Sequence, residues 1–513
     1  MIKAWAPEGM SLKLNVAANF ASQLYTTLIG IILVPMYLNK MGAEAYGLIG
    51  FFSMLQAWFS VFDLGLTPTI ARETARFSGG GLAAIDFCRI FRALSIIFVA
   101  VAAVCGGGLY LFSPVLSEQW LQVKGLPLSE VELAVKIMAG CVAMRWMAGL
   151  YRGIITGVER LVWLSGFNVL VASLRFVAVL LSMEFWGYTP TVFFWHQMAV
   201  GVLEVAILGF KGVHLVPSVE KLGERIGWSL TSVIPLLRFS LTIAFTSSVW
   251  VFVTQTDKLI LSGILSLSEY GFFTLAVLLA GGITVVTAPL TSALLPRFAR
   301  LFAENNFVEI IRLYHQFGQL VAVIAVSLMI TLASCTESLL FAWTGNSEAS
   351  LAASASLRLY ALGNGMLALG AFPFYLQYAR GDMHWHLVGN VGMVLLLIPA
   401  IILAASHFGG EGAGWVWLIM NFFYLFVWVA FVHGKLEPGL HREWIWRNFI
   451  VIVLPTAAVG VVLSFLFPPV LDHRGKAAIN VMIFATLCSA TAALSSNLIR
   501  SRVESIVRSR LAL

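Results

Sequence analysis

The sequence predicts an all-α polytopic membrane protein of about fourteen transmembrane helices, and three observations carry that prediction. Hydrophobic residues make up 59% of the 513 residues, charged residues make up 11%, and the mean hydropathy is +0.90. A soluble globular chain carries about 25% charged residues. Apolar runs long enough to cross a bilayer recur from Leu14 to Leu498 with only short polar breaks. The bilayer is therefore the expected solvent of this chain.

A helix needs about 20 apolar residues to cross the hydrocarbon layer, and that length places the spans in order along the chain. The spans are predicted at 14–38, 46–68, 91–113, 133–156, 161–183, 191–210, 239–262, 270–292, 314–336, 352–376, 386–406, 412–432, 448–467 and 477–497. The first run is of span length and lacks the features of a cleaved leader, so we expect it to be retained.

The basic residues predict the orientation of these spans. With the N-terminus inside, 22 of the 32 Lys and Arg residues lie in or beside cytoplasmic loops, and four lie in outer loops. Cytoplasmic loops carry the excess of Lys and Arg, so both termini are expected in the cytoplasm. The net charge of +7 is spread over single and paired residues without a basic, aromatic-rich groove, so we expect no binding of nucleic acid.

An internal repeat appears when the chain is shifted against itself so that Tyr46-Gly47 falls on Tyr270-Gly271. Eight of the 32 positions from Tyr46 to Phe77 are then identical. The period covers six spans, which predicts two pseudo-twofold-related six-helix lobes, an arrangement typical of alternating-access transporters with a site between the lobes. We therefore expect an N-lobe at 1–230, a C-lobe at 231–440 and two further helices with a cytoplasmic tail at 441–513.

Polar residues recur at helical spacing inside three spans. Asn19 and Gln23 continue such a stripe in the first span, Asp63 belongs to one in the second, and Asp257 ends one in the seventh. A helix that faces only lipid needs no polar stripe, so these side chains face either a hydrated cavity or another helix. We interpret Asn19, Gln23 and Asp257 as candidate substrate-binding residues.

Four charges lie at bilayer depth in the first lobe: Arg145, Arg175, Asp63 and Glu204. A central charge costs about 2.5–3.5 kcal/mol on insertion scales, which favours a functional reason for each. In one interpretation the two cations pair with the two anions and hold the lobe together. In the other, Arg145 or Arg175 faces the cavity and binds an anionic headgroup, and Asp63 or Glu204 titrates as the site of ion coupling. Arg152 lies toward the cytoplasmic end of its span, and we expect it to reach the membrane interface.

No catalytic or metal site is expected from the sequence. The five cysteines are far apart and have mostly apolar neighbours, and no His or Cys spacing typical of a metal site is present. The phosphate-binding motif of ATP-hydrolysing proteins is absent, so we expect no nucleotide-driven transport and no cofactor.

Several short motifs resemble a known family over most of the chain, more weakly after about residue 440. They are Tyr46-Gly47 and Asp63-Leu64-Gly65-Leu66 within 25–76; Tyr151-Arg152-Gly153 and Gly157-Val158-Glu159-Arg160; 254–261 followed by Ser268-Glu269-Tyr270-Gly271; and Gly381-Asp382 with His386 and Asn390. These motifs resemble the polysaccharide-biosynthesis, or O-antigen flippase, family of the multidrug/oligosaccharidyl-lipid/polysaccharide exporter superfamily.

The resemblance implies a protein of the bacterial cytoplasmic (inner) membrane that moves a polyprenyl-pyrophosphate-linked oligosaccharide, a precursor of O-antigen or lipopolysaccharide, to the outer leaflet. It also implies a cation-lined cavity, coupling to a proton or sodium gradient, and association with polysaccharide polymerase machinery. Lipid II flippases carry basic residues in the first span and multidrug exporters often carry an acid there, whereas 14–38 contains neither. Both differences favour the members of the superfamily that move lipid-linked oligosaccharides.

Three alternatives to a flippase are open, of which a purely structural membrane protein is disfavoured by the ionisable residues inside the spans. A cation-coupled exporter of multiple drugs or small amphiphiles belongs to the same superfamily. A membrane-embedded polymerase or ligase needs an extramembrane chemical site, commonly on a large outer loop, and the longest predicted outer loop covers only 114–132. We therefore expect a transporter that is not an enzyme.

Overall fold

The chain is built almost entirely of helices, which confirms the predicted all-α class. The computed structural model describes residues 12–217, 234–292 and 294–500, and within these ranges β pairing is limited to an isolated bridge between Gln122 and Ser266. The chain divides at Ser268 into two compact units, 1–268 and 269–513. The predicted boundaries at 230 and 440 stay a prediction.

The first unit carries these helices in its described part: α1 (Leu12–Met41), α2 (Ala43–Phe59), α3 (Leu66–Ser78), α4 (Ala84–Leu111), α5 (Ser113–Val115), α6 (Leu128–Gly157), α7 (Leu161–Ala172), α8 (Val179–Trp186), α9 (Pro190–His214) and α10 (Ile234–Ile264). A 3₁₀ turn follows α2 at Ser60–Asp63, and π-helical segments occupy Leu116–Trp120 and Ser173–Ala178.

The helices after α10 are α11 (Leu267–Ser292), α12 (Leu294–Ala303), α13 (Phe307–Ser334), α14 (Thr336–Thr344), α15 (Ser347–Gly370), α16 (Phe372–Arg380), α17 (His384–Phe423), α18 (Val429–Leu436), α19 (Leu440–Trp444), α20 (Val451–Leu466) and α21 (Arg474–Ser495). π-Helical segments at Tyr424–Trp428 and Ile445–Ile450 join α17 to α18 and α19 to α20.

Twelve stretches of the described chain are long and apolar enough to cross a membrane. One of them, His384–Leu436, is 53 residues long and is broken at Gly409, where φ is 56° and ψ is −138°. A single crossing needs about 20 residues, so this stretch has the length of two. Helix α10, with 31 residues, lies outside the twelve. The number fourteen therefore stays a prediction.

The order of helices follows the sequence repeat. Helix α2 begins at Ala43 and α11 begins at Leu267, so the shift that places Tyr46 on Tyr270 also places one helix start on the other. The starts of α4 and α13 are related by nearly the same shift. The shift that aligns identical residues thus also aligns helix starts, which supports an internal duplication.

Helix α6 packs closely against α3 through a row of glycines. Gly153 and Gly157 stand one helical turn apart, and a methyl group on Gly153 would lie 2.9 Å from the carbonyl oxygen of Thr67. Small residues at every fourth position let two membrane helices approach until their backbones touch. Beside this contact α3, α4 and α6 share a core that includes Phe98 and Trp146, whose rings stack 4.8 Å apart.

Large apolar side chains cover much of the outer surface. Phe185, Leu111 and Phe465 are 79%, 76% and 85% exposed, and they lie near helix ends in both units. Many large apolar side chains exposed in this way are unfavourable in water and favourable in lipid. The helices therefore have the surface that a multi-pass membrane protein requires.

Candidate arginine site in the first unit

Four charged side chains of the first unit belong to one cluster, formed by α6, α9 and the π-helical segment Ser173–Ala178. Arg145 and Arg152 stand at i and i+7 on α6, which places them on one face two turns apart. Arg175 comes from the π-helical segment, and Glu204 comes from α9. We name Arg145, Arg152, Arg175 and Glu204 the arginine cluster.

Glu204 lies between two of the arginines. Its Oε1 accepts a hydrogen bond from Arg152 Nη2 at 2.5 Å, and its Oε2 accepts one from Arg175 Nη2 at 2.7 Å. The side chains of Glu204 and Arg175 are 5% and 8% exposed, whereas that of Arg152 is 29% exposed. Charge-assisted hydrogen bonds of this length are strong, so Glu204 is held by both guanidinium groups.

Two neutral amides complete these contacts. Arg152 Nη1 donates to Asn168 Oδ1 at 2.5 Å, and Arg175 Nη1 donates to Gln197 Oε1 at 3.4 Å. Each of the two arginines is thereby fixed by a carboxylate and an amide. This geometry orients both guanidinium planes and leaves little freedom for Glu204.

The backbone around Arg175 is held by side chains from neighbouring helices. A π-helical turn departs from the regular α-helical hydrogen-bond pattern, and such turns are frequent at functional sites. Three consecutive carbonyl oxygens accept side-chain hydrogen bonds there: Leu174 from His196 Nε2 at 2.9 Å, Arg175 from Gln197 Nε2 at 2.9 Å, and Phe176 from the Tyr37 hydroxyl. The position of Arg175 is thus fixed through its backbone as well as its side chain.

Arg145 differs from the other members of the cluster. Its side chain is exposed, and it makes no hydrogen bond or ion pair to any residue that the structure describes. It lies within electrostatic range of Arg152, Arg175 and Glu204. Three guanidinium groups and one carboxylate leave the cluster with two surplus positive charges, and Arg145 is the exposed one.

Asp63 makes no described ion pair with the arginine cluster, although its partner Thr67 lies against Gly149 of α6. Its carboxylate accepts hydrogen bonds from the Thr67 hydroxyl at 2.6 Å and from the Thr67 backbone N–H at 3.3 Å. It is half-buried and forms no ion pair with any cation in the described ranges. Asp63 therefore caps the first turn of α3, which begins at Leu66.

Asn19 and Gln23 lie exposed on α1, one turn apart. On the same stripe Asn15 is buried, and its side-chain oxygen has no hydrogen-bond partner among the described residues. Helix α1 is tied to the segment that carries Arg175 by the Tyr25 hydroxyl, which lies 2.7 Å from Ser173 Oγ. Both candidates thus lie on a helix that contacts the arginine-bearing segment, without a described contact to the arginines of the cluster.

Asp257 is buried on α10, with 1% of its surface exposed. Lys258 Nζ lies 3.1 Å from one of its carboxylate oxygens and also donates to the Thr254 carbonyl at 2.6 Å. The adjacent cation therefore neutralises Asp257 within its own helix. The structure does not bring this residue into the arginine cluster.

The pairing interpretation of the intramembrane charges describes one pair in the cluster, and the cavity interpretation stays a prediction. Arg175 pairs with Glu204, as the pairing interpretation expects, but Asp63 and Arg145 do not pair in the described ranges. The second partner of Glu204 is Arg152. The position of Arg152 near the cytoplasmic end of its span predicts instead that its side chain reaches the membrane interface. The i, i+7 spacing of Arg145 and Arg152 is the signal that places both on one face of α6.

The described residues contain no group of three His, Cys, Asp or Glu side chains able to hold a metal ion. The arginine cluster itself offers hydrogen-bond donors and positive charge. Guanidinium groups bind carboxylates and phosphates through paired N–H donors.

The comparisons with known proteins concern the family and the fold. Residues 12–302 match the family model described as polysaccharide biosynthesis protein, and this range includes the whole arginine cluster. No curated protein matches the chain by sequence.

Two solved structures share the fold with a TM-score of 0.65. One is the lipid II flippase MurJ in an inward closed conformation, with 11% identity over 93% of this chain and 98% of that chain. The other is an inward-facing multidrug resistance MATE transporter of the MOP superfamily, with 13% identity over 86% of this chain and 98% of that chain. The MATE multidrug transporter DinF-BH, solved as a complex, has a TM-score of 0.58, 12% identity, and coverage of 85% and 98%. At these identities the likeness concerns the fold.

Proposed function

Because this chain belongs to the polysaccharide biosynthesis protein family, we propose that it moves a polyprenyl-pyrophosphate-linked oligosaccharide across the cytoplasmic membrane of a bacterium by alternating access. The family and the transporter fold support a transport role. The observation that supports the substrate class is the arginine cluster, which holds surplus positive charge and which the predicted spans place at bilayer depth. Such a substrate has an anionic pyrophosphate between a lipid tail and a sugar.

Arg145 is the residue that we assign to the pyrophosphate. It is exposed and has no described partner, so its donors are available, whereas those of Arg175 and Arg152 are engaged with Glu204. Moving sugars and a pyrophosphate through hydrocarbon without a polar path costs on the order of tens of kcal/mol. A guanidinium at this depth lowers that barrier while the tail stays in lipid. Arg175 and Arg152 then act by holding the site in place, and the exposed amides of Asn19 and Gln23 are candidate contacts for sugar hydroxyls.

For ion coupling we propose Asp63 rather than Glu204. Two guanidinium groups stabilise the charged form of Glu204, so this carboxylate is poorly suited to take up a proton during a cycle. Asp63 has only the hydroxyl and backbone N–H of Thr67 as described partners and lies where the chain turns into α3. Protonation of Asp63 weakens that cap, which offers a route from ion binding to helix movement. The coupling ion in this proposal is a proton; the alternative is sodium.

The alternative function is export of small amphiphiles coupled to a cation, and the shared fold with MATE transporters favours it. The surplus positive charge opposes it for cationic cargo, because like charges repel at the site. The remaining parts of the proposal are cytoplasmic termini, an O-antigen or lipopolysaccharide precursor as cargo, and association with a polysaccharide polymerase.

The proposal is tested with purified protein in proteoliposomes. A fluorescent polyprenyl-pyrophosphate oligosaccharide should become accessible to an outer-leaflet reagent only when the protein is present, and Arg145→Ala should abolish this. Export of a cationic dye without movement of the sugar lipid would overturn the proposal and favour the alternative. A polyprenyl-phosphate sugar without pyrophosphate serves as the matched substrate control.

A further inference from the structure

A cavity of about 360 Å³ lies in the second unit, where the ends of several helices meet. It is lined by the last turn of α13, the first turn of α14, Arg358 of α15 and the last turn of α20, together with the loop after α20. The predicted topology places all these helix ends on the outer side of the membrane. The cavity is separate from the arginine cluster, which belongs to the first unit.

Two opposite charges line this cavity without neutralising each other. Arg358 donates from Nε to the Ala333 carbonyl at 3.2 Å and from Nη2 to the Thr336 hydroxyl at 3.4 Å, which leaves Nη1 without a described partner. Glu337 has no hydrogen bond or ion pair to any described residue. A guanidinium held in place beside a separate free carboxylate is complementary to a ligand that carries both a negative and a positive charge.

Two serine hydroxyls add one donor and one acceptor to the cavity. Ser338 Oγ accepts a hydrogen bond from the backbone N–H of Val470 at 3.1 Å, so its own proton remains available to an anion. Ser464 Oγ donates to the Gly460 carbonyl at 2.9 Å, so its lone pairs remain available to a cation. The Ser338 hydroxyl can thus assist Arg358 in binding an anionic group, and the Ser464 hydroxyl can assist Glu337 in binding a cationic group.

An exposed apolar surface adjoins the cavity along α20. Val461, which itself lines the cavity, is 56% exposed, and Phe465 and Leu466 are 85% and 66% exposed. A water-soluble ligand gains nothing from such a surface, whereas the acyl chains of a lipid bury it. The surroundings of the cavity therefore favour a lipid headgroup over a free zwitterion.

We propose that this cavity binds the headgroup of a zwitterionic phospholipid with a primary ammonium group, such as phosphatidylethanolamine, from the outer leaflet. The phosphate lies against Arg358 and Ser338, the ammonium lies against Glu337 and Ser464, and the acyl chains lie along α20. A quaternary ammonium has no N–H to donate to Glu337, and a glycerol headgroup has no positive charge. The site therefore selects the primary amine, and this holds whatever cargo the protein carries.

Native mass spectrometry of the full chain in detergent tests the proposal by titration with lipids of matched acyl chains. Phosphatidylethanolamine should bind about tenfold more tightly than phosphatidylcholine or phosphatidylglycerol. Glu337→Gln should remove this preference and leave phosphatidylglycerol binding unchanged, while Arg358→Ala should weaken both lipids about tenfold. Asp472→Asn and Lys476→Ala are the matched controls, because both residues are exposed near the start of α21 and neither lines the cavity.

A variant without a charge change tests the same proposal if Glu337→Gln or Arg358→Ala folds poorly. Ser464→Leu fills the mouth of the cavity without changing a charge, and it should weaken phosphatidylethanolamine binding with normal thermal stability. Equal binding of the three lipids, or unchanged binding in both Glu337→Gln and Ser464→Leu, would overturn the proposal. Free phosphoethanolamine that competes as well as the intact lipid would overturn the assignment to a lipid.

Discussion

The arginine cluster makes a prediction that separates function from stability. Arg145→Ala removes an exposed guanidinium without a described partner, whereas Glu204→Gln removes a carboxylate that two guanidinium groups hold. We expect Arg145→Ala to abolish translocation and leave the fold intact. We expect Glu204→Gln to destabilise the first unit, because Arg175 then remains buried without a carboxylate.

The expected magnitudes follow from burial. Removing one partner of a buried ion pair costs about 3–5 kcal/mol. Arg152 is 29% exposed and therefore only partly buried, so the lower end, about 3 kcal/mol, applies to Glu204→Gln. Arg175→Ala leaves Glu204 with Arg152 and should cost about 1.5–3 kcal/mol. Arg145→Ala should change stability by no more than about 0.5 kcal/mol, because a substitution away from packed contacts has little effect.

Two assays on the same preparations check these values. Thermal unfolding in detergent, followed by size-exclusion chromatography of the heated samples, ranks the stabilities of the variants. Translocation of the fluorescent sugar lipid in proteoliposomes, normalised to folded protein, ranks their activities. Arg145→Lys is the matched control, since it keeps the charge and loses the paired N–H donors, and it should retain part of the activity.

One pattern of results would refute the reasoning. If Arg145→Ala destabilised the protein as much as Glu204→Gln does, Arg145 would be a structural cation like Arg175. If it kept both full stability and full translocation, Arg145 would not bind the pyrophosphate. In either case the proposed substrate contact would have to be withdrawn.

Three further predictions concern other contacts. Gly157→Val should destabilise the protein by about 1–3 kcal/mol in thermal unfolding, because the added atoms meet Thr74 of α3. Asp63→Asn should keep the fold, since the amide oxygen still caps α3, but remove the dependence of translocation on the proton gradient. Glu44 accepts hydrogen bonds from three backbone N–H groups at 124–126, so Glu44→Ala should speed hydrogen exchange of those amides at least about tenfold, measured by mass spectrometry.

Each of these has a control. Gly166 on α7 has open space where a Cβ would stand, so Gly166→Ala should not destabilise the protein; equal losses at both glycines would contradict the packing argument. Asp63→Ala removes the cap as well and should lower stability; gradient dependence that survives in Asp63→Asn excludes this residue. Glu118 is exposed, and Glu118→Ala should leave the exchange at 124–126 unchanged. An effect as large as that of Glu44→Ala would contradict the assignment of the protection to the hydrogen bonds of Glu44.

The arginine cluster was predictable from the sequence only in part. The cost of a charge at bilayer depth predicts that Arg145, Arg175, Asp63 and Glu204 either pair with one another or line a cavity. The partners of Glu204 are not predictable from depth, since two other helical segments, α6 and Ser173–Ala178, supply them. Depth alone predicts that Arg152 reaches the membrane interface, whereas the packing of α6 on α9 brings its side chain to Glu204.

The sequence by itself determined the solvent, the helical class and the internal repeat of this protein. Hydrophobic length and periodicity act locally along a chain, so composition and a single shift of the chain against itself are enough to read them. The tertiary structure decided which charges are satisfied and which remain open. Glu204 is held by two arginines, Asp63 caps a helix, and Arg358 and Glu337 share a cavity without pairing. These differences depend on which helices pack together and on the distances between their side chains. Hydropathy describes each helix separately and does not determine those distances.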